Sequence, residues 1–201
     1  VEGATRLFSM GGQITVQKQV FHGLDVFSAE KSFGGVFALE SVAGDLKSCL
    51  GDPSSAVVTE RTARRLWGHT DVIGKAFAYA SNFLENRTYR VDCVVKDIPG
   101  NSHLSIDVLC AHGSQPFLDR FNGDEFLTYF KLESAVNPGA VLPQIEADLD
   151  SLQEHRRAGG YQGYPRTIRL EDIHLYSVGR FSGYGGRGDW RFVLTLSTVA
   201  V

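Results

Sequence analysis

The sequence predicts an α+β fold, and three observations lead there. Segments with the two-residue period of strands outnumber those with a helical period. The two kinds mix along the chain and do not alternate as strand–helix–strand units. The chain has 201 residues, 43% of them hydrophobic, which is ordinary globular composition and enough to bury a sizeable core. No internal repeat is visible.

Taken in order, "GQITVQKQVFHGLDVFSAE" reads as two strands. Ile14 and Val16 alternate with Gln13, Thr15 and Gln17, and Val20, Leu24 and Val26 follow, with Phe21 and Phe27 blurring the faces. "KSFGGVFALESVAGDLKSCLGDP" reads as irregular, with turns at Gly44-Asp45 and Gly51-Asp52-Pro53. In "SAVVTERTARRLWGHTDVIGK", Ala56-Val57-Val58 is a short buried strand and Thr59 is the helix N-cap, because its hydroxyl can accept from an orphan N–H. Glu60 complements the helix dipole, Ala63, Leu66 and Trp67 share a face, and Gly68 ends the helix.

"TYRVDCVVKDIPGNSH" is a strand with Tyr89, Val91, Cys93 and Val95 on one side, stopped by Pro99-Gly100-Asn101. "FLTYFKLES" is a strand whose alternating set is Phe126, Thr128, Phe130 and Leu132, with both faces partly apolar. A helix follows, with the stripe Val141, Ile145, Leu149 and Leu152. Pro143 belongs in a first helical turn, so the regular helix is expected from near Leu142. "TIRLEDIHLYS" reads as a short strand and a bend between two glycine-rich stretches.

The net charge is −3 and no basic stripe appears, which argues against a nucleic-acid partner. The three cysteines, Cys49, Cys93 and Cys110, form no C-x-x-C, so zinc and thioredoxin-type chemistry are not indicated. They read as small buried apolar side chains; in an oxidising compartment one disulfide could form and leave one thiol over. The chain begins "VEGATRLFSM", with neither an initiator Met nor a charged-then-apolar leader, and reads as an excised fragment. Its last apolar run, Phe192 to Val201, is about half of the ~20 residues a membrane span needs.

Catalytic patterns are weak. Ser102 and His103 are adjacent, and neighbours on a strand point to opposite faces, which is poor geometry for a nucleophile and its base. No G-x-S-x-G, H-E-x-x-H or phosphate-loop spacing occurs; "FSGYGGRG" lacks the G-K-[ST] ending. Asp148 and Asp150 read as a solvated helix face.

The residues from "SVAGDLKSCLGDPSSAVVTERTARRLWGHTDVIGKAFAYA" onward resemble the extracytoplasmic (periplasmic) core domain of MacB-like, FtsX-related ABC transporter permeases. The resemblance rests on Gly44-Asp45, on Thr59-Glu60 after the apolar strand, on Trp67-Gly68, and on Asp71-Val72-Ile73-Gly74-Lys75. It continues through Lys96, Asp97, Pro99, Asn101, Ser102 and His103, and through Leu170, Asp172, Ile173, His174, Leu175 and Ser177. Phe33-Gly34-Gly35 departs from the family's paired aromatics, Asp92-Cys93-Val94 from its Gly-Val strand, Trp67 from its Phe and Val72 from its Pro.

The resemblance implies a two-lobed mixed domain, with a β-rich lobe, 32–111, inserted into an α/β lobe built from 1–31 and 112–178. A linker at 179–189 would lead into a truncated transmembrane helix at 190–201, with Trp190 at the interface; the competing reading of that tail is a β-strand, which its Val and Thr residues favour. The implied role is the non-catalytic outer part of an inner-membrane permease of the mechanotransmission type. It would have no cofactor of its own, ATP being bound by a separate cytoplasmic subunit or domain. Its implied partners are a second permease copy, the ABC ATPase, and a periplasmic adaptor or substrate.

The motif residues would be structural: Gly44, Asp45, Thr59, Glu60, Gly68, Gly74, Lys75, Asp97, Pro99, Asn101, Ser102, His103, Asp172 and His174. Asp97, Asn101, Ser102 and His103 would hydrogen-bond a tight loop between lobes. Two other classes stand beside this one. A stand-alone extracytoplasmic binding module would have no membrane helix on either side. An enzyme using His103 or His174 would need a pocket joining them to a nucleophile or metal.

Overall fold

The computed structural model describes residues 1–81, 86–100, 102–113, 126–158 and 169–170. The fold is α+β, as expected. The strands are β1 (Gly3–Ser9), β2 (Gln13–Val16), β3 (Gln19–Phe21), β4 (Val26–Ala29), β5 (Ser41–Ala43), β6 (Ser55–Thr59), β7 (Ala76–Ala80), β8 (Arg87–Val95), β9 (Val108–Ala111) and β10 (Phe126–Lys131). The helices are α1 (Phe33–Val36), α2 (Leu46–Cys49), α3 (Glu60–Trp67) and α4 (Pro138–Ala158).

Among the described residues ten strands form one mixed sheet; nine follow the order β10-β1-β4-β9-β6-β8-β7-β2-β3, and β5 lies off that path, paired with β8. β4 runs parallel to β9, and β6 parallel to β8; the other neighbours are antiparallel. β8 is long enough for its first half to pair with β7 and its last residues with β5 on the same edge. The chain divides into two compact units, Val1–Ile98 with Ile106–Glu133, and Pro99–Ser105 with the stretch from Ser134 onward. Strands from both expected lobes share the sheet, because β4 pairs with β9 and β2 with β7.

One sheet face carries the main core, where Ile14, Val26, Val58, Phe77, Tyr89, Val91 and Val108 pack with Ala63 and Leu66 of α3. Alternate residues of the same strands, such as Leu7, Phe27, Val57 and Leu109, are equally buried and point to the other face. There α1 packs on β1, and α2 on β6 and β8. A sheet covered on both faces needs strands that are apolar throughout, and β4, β6 and β9 are buried along their whole length.

Several expectations change against this fold. "GATRLFS", not read as a strand from the sequence, is β1, an inner strand of the sheet. The "two strands" after Gly12 are three. β2 and β3 form a hairpin through Gln17 and Lys18, both with positive φ (48° and 72°), the backbone of a two-residue primed turn without the usual Asn-Gly. The segment read as irregular holds α1, β5 and α2.

The side-to-side pattern of β8 breaks at Asp92. Val91 faces Ala56 but Cys93 faces Val57, so Asp92 is the extra residue of a β-bulge. Val94 therefore joins Tyr89 and Val91 in the main core, while Cys93 and Val95 do not. In β10 the inward-leaning residues are Leu127 and Tyr129, and Thr128 and Phe130 are exposed. Tyr129 meets the ring of Phe37 edge-on at 4.9 Å. The apolar character of both faces hid that choice from the sequence.

α4 begins at Pro138, four residues before the expected start, and Pro143 lies inside it. Asn137 anchors the start, its side-chain oxygen accepting from the Gly139 N–H at 2.9 Å. Val141 and Ile145 of the expected stripe are half-buried. Among the described residues no helix is long and apolar enough to cross a membrane. The expected linker at 179–189 and membrane helix at 190–201 lie outside the described residues.

Candidate functional site

Three of the motif segments, at Gly44-Asp45, Thr59-Glu60 and Gly74-Lys75, meet β8. Gly44 joins β5 to α2 with φ +79°, and a Cβ there would come within 2.2 Å of the Asp92 carbonyl oxygen. The missing side chain lets the turn lie directly on the bulge. Asp45 is the N-cap of α2, accepting from the Lys47 N–H at 3.1 Å and the Ser48 hydroxyl at 2.9 Å. On the β7 side, the Gly74 N–H donates to the Val91 carbonyl at 2.8 Å, and the Val91 N–H to the Lys75 carbonyl at 2.8 Å. Thr59 pairs with Val95, the last residue of β8.

Thr59 caps α3 as its position predicts. Its hydroxyl accepts from the Thr62 N–H at 3.3 Å and donates to the Thr62 hydroxyl at 2.9 Å. Glu60 sits in the first turn and pairs with Arg64 at 3.1 Å. Gly68 closes the helix in the left-handed region, donating to the Arg64 carbonyl at 2.8 Å. Asp97 is also on this helix: its carboxylate accepts from the Arg61 N–H at 2.8 Å. Thr59 and Asp97 together satisfy two of the orphan donors of the first turn.

The centre of the junction is Asp107, which sequence reasoning missed. The residue is 7% exposed, and its carboxylate accepts from the Thr62 hydroxyl at 3.1 Å, the Asp25 N–H at 3.0 Å and the Arg61 guanidinium at 3.1 Å. Its carbonyl accepts from the Thr59 N–H at 3.1 Å, and its own N–H donates to the Asp25 carbonyl at 2.9 Å. The carboxylate raises the pKa of Arg61, through the hydrogen bond first and the charge second. One side chain thus ties the starts of β4, β9 and α3 together. A signal for it is present in the sequence. Leu24-Asp25-Val26-Phe27 and Ile106-Asp107-Val108-Leu109 are matching tetrapeptides, and they pair in parallel register, Val26 with Val108.

Of the remaining motif residues, Pro99, Ser102 and His103 belong to the second unit. In the second unit the Ser102 N–H donates to the Pro99 carbonyl at 2.9 Å, and the Ser102 hydroxyl accepts from the Leu104 N–H at 3.2 Å. His103 is buried. Asn101, Asp172 and His174 lie outside the described residues.

Two open clefts lie elsewhere on the first unit. One of about 310 Å³ is bordered by Glu30, Lys31, Pro53 and His112, whose Nδ1 lies 3.1 Å from the Ser28 hydroxyl. The other, of about 620 Å³, is bordered by Glu2, Lys31, Val36 and Lys47. His103 borders neither. Among the described residues no group of three or more His, Cys, Asp or Glu is placed to hold a metal ion. The hydrogen bonds and close backbone contacts around β8 hold the β5–α2 turn, the loop before β7 and the start of α3 in place.

No protein-family model matches the chain, and no curated protein matches it. Solved structures do. The fold matches a domain of a protein assigned as a permease from Porphyromonas gingivalis, with a TM-score of 0.60 and 26% identity over 77% of this chain and 70% of that one. It matches the periplasmic region of MacB from Actinobacillus actinomycetemcomitans, with a TM-score of 0.57 and 17% identity over 80% of this chain and 77% of that one. It also matches the extracellular domain of the noncanonic ABC-type transporter YknZ from Gram-positive bacteria, with a TM-score of 0.55 and 12% identity over 78% and 76%. The chain has the fold shared by the periplasmic region of MacB and the extracellular domain of the ABC-type transporter YknZ.

Proposed function

We propose that this chain is the extracytoplasmic domain of an ABC transporter permease, coupling ATP hydrolysis in the cytoplasm to movement outside the membrane. The shared fold carries this reading, since one neighbour is a periplasmic region, one an extracellular domain of an ABC-type transporter and one a domain of a protein assigned as a permease. The motif residues support it, because Gly44, Thr59, Gly74 and Asp97 all brace β8 or the helix beside it.

In this reading the work is mechanical. A sheet in which Asp107 locks two strands and a helix together passes a displacement on as one body, which a loosely joined domain would absorb. The partners proposed are a second permease copy and an ABC ATPase that binds the nucleotide, with an adaptor or substrate met outside the membrane. The domain itself would hold no cofactor and catalyse no reaction, and it would sit on the periplasmic or extracellular side.

The test uses the parent protein extended beyond Val1 and Val201. Its membranes are washed with alkaline carbonate, and protease is added from outside. Retention in the membrane with cleavage of this domain only from the outer face is the expected result. Release of the parent as a soluble protein sinks the proposal and returns the stand-alone binding module to first place.

A further inference from the structure

Cys93 lies within β8, fully buried, and Cys49 is the last residue of α2, also buried. Both ends of α2 are fixed relative to β8. At its start, Ala43 stands opposite Val94, and Gly44 rests against the backbone of Asp92 and Cys93. At its end, the Ser55 hydroxyl donates to the Cys49 carbonyl. Ser55 lies two residues before Val57, so both point to the same face, and Val57 is the register partner of Cys93.

These anchors and the packing of α2 on β8 seat Cys49 over Cys93, near enough for each thiol to act on the other's titration. The neighbouring Cys93 thiol and burial push the Cys49 thiol up; the neighbouring Cys49 thiol lowers Cys93, whose sulfur also lies 3.7 Å from the Ser41 hydroxyl. Cys110 packs in the main core on the opposite face, and burial alone pushes its thiol up.

We propose that Cys49 and Cys93 are a disulfide-forming pair across the contact between α2 and β8, and that Cys110 takes no part. The oxidant is a disulfide donor, either a small-molecule disulfide or a protein oxidant of the thiol–disulfide class. The Cys93 thiolate attacks one donor sulfur, forming a mixed disulfide and releasing one donor thiolate. The Cys49 thiolate then attacks the Cys93 sulfur, closing the intrachain bond and releasing the second donor thiolate. The chain loses two electrons and two protons, and the donor gains both. The inference rests on the extracytoplasmic reading for where such donors persist, while the pairing itself is a property of the fold.

The experiment refolds the reduced, unfolded 201-residue chain in mixed reduced and oxidised glutathione. Refolding removes any dependence on reagent access to buried sulfur. Free thiols are then trapped with iodoacetamide and the denatured chain is weighed. One adduct per chain is expected, together with a proteolytic peptide joining Cys49 to Cys93. Cys110→Ala should keep the joined peptide and carry no adduct. Three adducts on the parent chain, or any peptide joining Cys110, overturns the pairing.

The same trapping on cells that make the parent protein separates the two readings. Pairing on refolding together with a joined peptide from cells supports both. Pairing on refolding with reduced thiols in cells upholds the pair and overturns the extracytoplasmic location.

Discussion

Thr62 donates its hydroxyl hydrogen to Asp107, 45 residues away, at 3.1 Å, and so fixes the first turn of α3 to the start of β9. Thr62 is 1% exposed, so water cannot replace the acceptor. Asp107→Ala leaves the Thr62 hydroxyl and the Asp25 N–H without it and should cost about 3 kcal/mol. Arg61 is 65% exposed at its side chain, and Arg61→Ala should cost only about 0.5 kcal/mol. Urea unfolding of both variants checks the ratio, and equal losses would refute the role given to Asp107.

The two caps of α3 differ in burial and should differ in effect. Thr59 is 2% exposed, and its hydroxyl both accepts from and donates to Thr62. Thr59→Ala should cost about 1–2 kcal/mol, and Thr59→Ser should restore most of it. Asp97 is exposed, and Asp97→Ala should cost about 0.5 kcal/mol, shrinking in high salt as a carboxylate near a helix N-terminus must. A salt-insensitive Asp97→Ala effect would assign the loss to something other than the dipole.

Asp52 supplies a pH dependence with a definite sign. Its carboxylate accepts from the Ser54 N–H at 2.8 Å and the Ser54 hydroxyl at 2.7 Å, and these bonds hold its pKa below the usual value. A folded pKa below the unfolded one, about 3.9, means the stabilisation is fully present above that value. It is lost as pH falls through the folded pKa. Asp52→Asn should therefore lower the urea midpoint at about pH 7 and lower it less at about pH 3. A deficit that stays constant across that range would show that the carboxylate charge is irrelevant.

The parts legible in the sequence were those set by neighbours along the chain. Thr59 and Gly68 could be assigned because a cap depends on residues within a turn of it. The bulge at Asp92 could not, because it shows only in the register with β6 and under the Gly44 turn, both of which meet Asp92 after folding. Asp107 was hidden for the same reason: its partners Asp25 and Thr62 come from distant segments. β1 escaped because Leu7 and Phe8, on opposite faces, are both buried, while Thr5 and Arg6 break any apolar alternation before them.

Gly44 and Gly68 both have positive φ, +79° and +82°, and only one of them is crowded. An added Cβ at Gly68 meets nothing within 4 Å, so Gly68→Ala should carry only the left-handed penalty, about 1 kcal/mol. At Gly44 the Cβ would lie 2.2 Å from the Asp92 carbonyl oxygen and 2.9 Å from the Cys93 Cα. Both are backbone atoms of β8, so relief requires the β5–α2 turn to lift off the bulge. Gly44→Ala should cost about 3 kcal/mol or more. Thermal unfolding of the pair separates the two mechanisms, and similar shifts would mean the turn is not seated on β8 as described.

Thr5 offers a prediction of the opposite sign. It lies in β1, paired with Tyr129 of β10, and it is 0% exposed. Its hydroxyl has no hydrogen-bond partner. Desolvating a hydroxyl without compensation costs about 1–3 kcal/mol, and a β-branched residue is already the right shape for a strand. Thr5→Val keeps that shape and deletes the orphan oxygen. It should raise stability by about 1 kcal/mol, while Thr5→Ser should lower it, since serine keeps the hydroxyl and loses a buried methyl. Denaturant midpoints of the two variants decide the matter. A destabilising valine would reveal that the hydroxyl is partnered in solution, and the serine would then be the better tolerated of the two.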